Sequence, residues 1–326
     1  MHMIKRRNAL ALAASAVIGL TATLPALADT YPSKPVRIVV IVAPGGSADA
    51  VARMLAEGLG TRLGQPVIVE NKPGAGGNLA TQYVARSPAD GYTLLLTANN
   101  HTINPSLFAN AGYSIDDLAP VAGLMEGPSV IAVPVNSPYK TLGDLLADAK
   151  QKPATVPFGS AGAGVPSHIA GEMLQRAAGV TMVHVPYRGS GPSIADAVGG
   201  QVPVVIASLV AAMPQVEGGK LRALAVTSNK RWPGSPNIPA AFEYGMPQYE
   251  HMTWLGLFAP KGTPPAIVTR LNADVRAVLG QDAVRQRINK LGGNVALQDV
   301  PAFDAMIKKD YVTSTRLVQD SQLKAD

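Results

Sequence analysis

The 326-residue chain contains no cysteine. That absence removes disulfides, thiolate metal sites and any lipid-anchor cysteine behind an export leader. Beyond the N-terminal segment no stretch approaches the roughly 20 apolar residues that span a bilayer. Basic clusters are missing too, because Lys and Arg are scattered rather than gathered into the stripe that nucleic acid requires. There is no G-x-x-x-x-G-K-[ST] phosphate loop, G-x-S-x-G nucleophile elbow, H-E-x-x-H pair or EF-hand loop. The glycine runs do not fit a dinucleotide fingerprint followed by a ribose-binding acid. The five histidines show no metal-ligand spacing. The expectation is a protein with no catalytic residues, no metal, no cofactor and no nucleic-acid partner.

What is present begins with a leader. Lys5, Arg6 and Arg7 precede a small-to-apolar stretch from Ala9 to about Leu24, and Pro25-Ala26-Leu27-Ala28 supplies an A-x-A cleavage motif. Residues 1–28 therefore read as a cleaved signal peptide, with Asp29 opening a mature chain free in the periplasm. Loss of the leader takes three cations and no acid, which lowers the formal charge from +6 to a mild +3.

The mature sequence alternates β-branched runs with helical patterns, the signature of an α/β fold around mostly parallel sheets. Val36–Val42, Val67–Val69 and Thr93–Thr97 read as strands of a first sheet. Ser47 reads as the N-cap of a helix carrying Val51, Met54, Leu55 and Leu59 on one face. Val130–Val133 starts a second sheet, joined by Met182–Val185 and Val202–Ile206, with a helix from about Pro192 between the last two. Thr141 with Asp144 forms a capping-box pattern. Leu221–Val226 reads as a strand returning to the first lobe, and Thr263-Pro264-Pro265 opens a long amphipathic helix.

Three glycine-rich loops each join a strand to a helix: Pro44–Ser47, Pro73–Asn78 and Ser160–Gly164. Free N–H groups at a helix N-terminus, together with the positive end of the macrodipole, attract anions without a side-chain charge. Glycine lets a ligand approach the backbone closely. Any one such loop could be a tight turn alone. With two in one lobe and one in the other, a small acid with two ends could be held between opposed helix N-termini.

Taken together, several stretches resemble the Bug family, the solute-binding proteins of tripartite tricarboxylate transporters. They include Tyr31–Val39 with Pro44–Asp49, Val69–Asn78, His168–Glu172, Val185–Gly189 and Gly219–Thr227. The resemblance runs from Tyr31 almost to the C-terminus. It implies a two-lobed fold of the periplasmic-binding-protein type (type II) with the ligand in the cleft, residues 29–127 and 229–326 forming lobe 1 and residues 128–228 lobe 2. It implies capture of a small carboxylate, gripped by backbone amides, hydroxyls and waters, and delivery to membrane permease subunits by a monomer. A periplasmic sensor of the same solutes, or an exported α/β hydrolase, is the alternative. Where the family commonly has a hydroxyl residue this chain has Val165-Pro166, and where it often reads Met-Phe-Asp this chain has Val205-Ile206-Ala207. The less polar second lobe suits a ligand with an apolar or aromatic body, so a di- or aromatic carboxylate is expected.

The candidate contacts follow. Gly45, Gly46 and Ser47 should donate to one carboxylate, with Asn78 and Thr97 as further polar contacts from lobe 1. Ser160, Ala163, Gly164, Ser167 and His168 should serve the other end. Tyr187 and Arg188 stand before another helix start, Arg188 as the one cation placed to help an anion. Asp49 should stabilise its helix start, Trp232 and Trp254 should be core, and hinges are expected near Gly127 and Val226.

Overall fold

A run of β-branched residues with nowhere exposed to go must be covered on both faces, and Val36–Val40 (β1) is such a run: Val36, Ile38, Val39 and Val40 are fully buried. The computed structural model describes residues 31–290 and 292–321, so the leader and its cleavage motif lie outside the described residues. Tyr31–Ser33, which belong to a separate N-terminal unit, carry no helix or strand, and the fold is that of Lys34 onward.

β1 pairs in parallel with Val67–Asn71 (β2) and with Thr93–Ala98 (β3). Pro157–Ser160 (β5) pairs in parallel with Val183–Pro186 (β6) and with Val204–Ser208 (β7). Helices of the β-α-β type separate these strands, among them Ser47–Leu63, Pro166–Ala178 and Ser190–Val198. Glycines in the left-handed region end two of them, Gly64 at φ 65° and Gly179 at φ 62°. The Thr141 capping box is formed: its hydroxyl accepts from the Asp144 N–H, and the Asp144 carboxylate accepts from the Thr141 N–H.

The two parallel groups are fused by long antiparallel strands. Leu118–Pro134 (β4) runs through both, and the sheet order is β2-β1-β3-β9-β4-β7-β5-β6, where β9 is Met252–Pro260. As far as Pro128, β4 pairs with β9; from Ser129 onward it pairs with β7 and with Leu221–Val226 (β8). A proline has no N–H to give to a ladder, so Pro128 sits where the partners change. The expectation of mostly parallel sheets is thereby corrected to a mixed sheet. The strand expected to return to the first lobe also stays in the second: β8 lies antiparallel on Val130–Pro134.

Each half has its own core. Around β3 and β9 it is aromatic, with Trp254, Phe258 and Phe303 packed at ring-centroid distances of 5.4–6.3 Å. In the other half Phe158, Leu174 and Tyr249 are buried together, and the Tyr249 hydroxyl donates to the Ala170 carbonyl at 2.9 Å. Trp232 is buried in a neighbouring cluster. No helix among the described residues is long and apolar enough to cross a membrane.

Candidate functional site

Parallel strands bring the N-termini of their following helices to one edge, and here those edges face each other where the two halves meet. Gly46, with extended backbone (φ −89°, ψ 172°), is the N-cap of the Ser47–Leu63 helix, and no side chain caps it. The expectation of a Ser47 cap is corrected by one residue. Ser47 is the first helical residue, and it lines a cavity. Asp49 fixes the turn before it. Its carboxylate accepts from the Gly45 N–H at 3.2 Å, from Arg53 at 2.9 and 3.1 Å and from Asn71 at 3.0 Å. Burial pushes the Asp49 carboxyl up, but the hydrogen bonds from Arg53, Gly45 and Asn71 outweigh it and hold the group below the usual carboxylate range.

In the second half the Ser160–Gly164 loop is largely tied to itself. The Ser160 hydroxyl accepts from the Gly162 N–H at 3.1 Å and meets His184 Nε2 at 2.6 Å. The Ser167 hydroxyl accepts from the Ala161 N–H at 2.9 Å. His168 Nδ1 accepts from the Gly164 N–H at 3.2 Å, its Nε2 lies 3.8 Å from Glu172, and its ring stacks on His184 at 4.0 Å. Tyr187 donates to Asp196 at 2.8 Å; burial first and the adjacent carboxylate second push its phenol up to about 12, so it stays protonated at neutral pH.

Two cavities lie along the seam. The inner one, of about 50 Å³, is walled by carbon from both halves, including Ile41, Val165 and Leu255. Six hydroxyl-bearing residues are among those that line it, Ser47, Ser129, Ser167, Ser190, Ser208 and Thr253, and no charged residue does. Ser47, Ser190 and Ser208 stand at the starts of three helices, and Pro166 opens a fourth. The unpaired N–H groups of those helices make this a place for an anion. The outer cavity, of about 490 Å³, opens at the glycine loops around Gly76 and Ala163 and includes Tyr187 and Arg188. Ile41, Val42, Ala161 and Val165 border both spaces.

Of the residues singled out from sequence, Gly46, Ser47 and Ser167 line the inner cavity, while Ala163, Tyr187 and Arg188 line the outer one. The others line neither space. The Gly45 and Gly164 N–H groups are taken by Asp49 and His168. Asn78 is buried and accepts from Asn104 at 2.7 Å, and Thr97 is buried beside Asn100 at 3.4 Å. Ser160 and His168 order their loop. One of the two departures noted in the sequence is at the cavity and the other is not: Val165 and Pro166 line it, whereas Val205 and Ala207 are core.

Sequence reasoning passed over Ser129, Ser190, Ser208 and Thr253. Ser190 and Ser208 each stand at the junction into a helix, a position at which Ser is a familiar signal. Ser129 and Thr253 lie inside strands, where no local pattern marks them.

Comparison with known proteins was consistent across three descriptions. The profile of the tripartite tricarboxylate transporter family receptor matches residues 51–323. The solved structure of periplasmic binding protein BugD is 35% identical with a TM-score of 0.87, covering 90% of this chain and 99% of its own. A Rhodopseudomonas palustris protein solved with adipate is 32% identical (TM-score 0.86), covering 90% of this chain and 99% of its own. MatC from the same organism, solved with bound malate, is 33% identical (TM-score 0.85), covering 88% of this chain and 100% of its own.

Proposed function

The chain belongs to the tripartite tricarboxylate transporter receptor family, and from that premise we propose that it captures a small aliphatic carboxylate between its two halves and delivers it to the family's membrane permease. It is a solute-binding receptor of the periplasmic binding protein type and not an enzyme. The observation that carries the ligand class is the inner cavity, where helix N-termini and hydroxyls converge without any side-chain carboxylate. Such a lining attracts an anion and has nothing to hold a cation. Similar proteins were solved with adipate and malate, which points the same way.

In this reading the halves are lobes, residues 29–127 with 229–326 and residues 128–228, hinged near Gly127 and Val226. Residues 1–28 are removed on export, leaving a monomer that begins at Asp29. The test is calorimetric titration of the mature chain with succinate, malate, adipate and benzoate, and with a neutral sugar as control. Saturable binding of an aliphatic acid is expected. Binding of none of the acids, or of the sugar instead, would overturn the proposal.

A further inference from the structure

The Pro166–Ala178 helix serves two apolar clusters at once. Ala170 and Leu174 are buried with Phe158 in the core of the second half. Ile169 belongs to a different cluster, and Met173, one turn further on, touches both. Ile169 is 2% exposed, and the buried residues grouped with it are Ile103, Leu107 and Val318. Those three belong to the first half. Ile103 and Leu107 lie on the Asn100–Leu107 helix that follows β3. Val318 lies near the end of the Val300–Ser321 helix, whose Phe303 is part of the aromatic core. These two helices are tied to each other by a hydrogen bond from the Thr102 hydroxyl to Asp310, and by the hydroxyls of Ser106 and Thr315 at 2.9 Å. At the edge of the cluster Arg176 donates across to the Asp320 carbonyl at 3.2 Å.

Resting on the two-lobe carboxylate reading above, we propose that this cluster is an apolar clasp that sets the balance between open and closed forms, with Ile169 and Val318 as positioning residues that tune affinity without touching the ligand. None of the four buried residues lines either cavity. The halves are joined through β4 and β9, so packing alone holds these helices together across the seam. Separating the lobes returns four apolar side chains to water, a cost that favours the closed form. The site is mechanically linked to the clasp. Ser167, which lines the inner cavity, and His168, which holds the Gly164 N–H, directly precede Ile169 on one helix. A Cβ on Gly164 would stand 2.6 Å from the ring of Phe108, which packs on the same cluster. A clasp acts on the closing step, so it changes the affinity for every ligand by one factor, whereas a contact residue discriminates among ligands.

The test is calorimetric titration of Ile169→Ser, Val318→Ser and the double variant of the mature protein with succinate, malate and adipate. Each single variant is expected to weaken binding by about three- to tenfold, by the same factor for every acid that the wild type binds. The double variant should fall little further than the weaker of the two, because either change already removes the shared contact. Leu174→Val, in the core of the second half, is the control: it should lower Tm and leave affinity within about twofold. Affinities within twofold of wild type for both single variants overturn the clasp. Losses that add in the double variant, that differ severalfold between acids, or that Leu174→Val reproduces overturn it as well. If the wild type binds none of the acids, the carboxylate reading fails and the clasp with it, whereas binding that all the variants retain undiminished sinks the clasp alone.

Discussion

Two buried histidines lie outside the binding machinery and add to the protein's sensitivity to acid. Burial lowers both His101 and His251 to about 4, and neither ring nitrogen of His101 has a hydrogen-bond partner. The unfolded chain takes up these protons near pH 6.5, whereas the folded one resists until about 4. Their contribution to stability is therefore fully present above pH 6.5 and falls as the pH drops towards 4, by on the order of 3 kcal/mol per histidine. His101 packs against Tyr113 and Phe258, so His101→Phe should keep the packing and flatten this dependence. Thermal melts between pH 7 and 4.5 check it, and equal slopes for variant and wild type would refute it. Asp49 acts on the site through the backbone. Asp49→Ala strips partners from Gly45, Arg53 and Asn71 at once, with an expected loss of about 2–4 kcal/mol of stability. Affinity for the carboxylate should fall with it, because the Gly46 and Ser47 amides are no longer held in place. Denaturant unfolding and titration measure the two effects separately.

At the scale of elements, the loops of the two halves meet backbone to backbone. The Ala43 N–H donates to the Arg188 carbonyl at 2.9 Å. A Cβ on Gly191 would stand 2.7 Å from the Pro44 carbonyl oxygen, and one on Gly76 would stand 2.3 Å from that of Ala163. These two glycines are what close approach across the seam requires. Gly191→Ala should weaken carboxylate binding at least tenfold by keeping the halves apart, while lowering the ligand-free Tm by no more than about 3 °C. Undiminished affinity in a titration would show that closure does not depend on this contact. The same scale explains what the pattern hid. The first part of β4 contains Pro120, Gly123, Gly127 and Pro128, which read as loop signals, yet the strand absorbs them at register shifts between Pro120 and Ala122 and between Gly123 and Met125. β9 carries Gly256 in its interior because Phe303 occupies the space a side chain would need, a Cβ there standing 2.4 Å from its ring.

For the whole molecule, the proposed reading makes ligand binding and closure one equilibrium. A hundredfold excess of ligand over Kd should add about 2.7 kcal/mol to stability and raise Tm accordingly. Small-angle scattering should show a smaller radius of gyration with ligand than without, and identical curves would argue against lobe closure. The sequence by itself determined the alternation of β-branched runs and amphipathic helices, the glycine loops at helix starts and the family, because all of these are local patterns. It also reached Gly46, Ser47 and Ser167, which stand next to such loops. Only the tertiary structure decided that β4 and β9 join the halves antiparallel, and that the amides of Gly45 and Gly164 are already taken. It alone brought Ser129 and Thr253 to one cavity. Those two come from strands far apart in the chain, and pairing across a sheet is set by long-range packing that no window of sequence records.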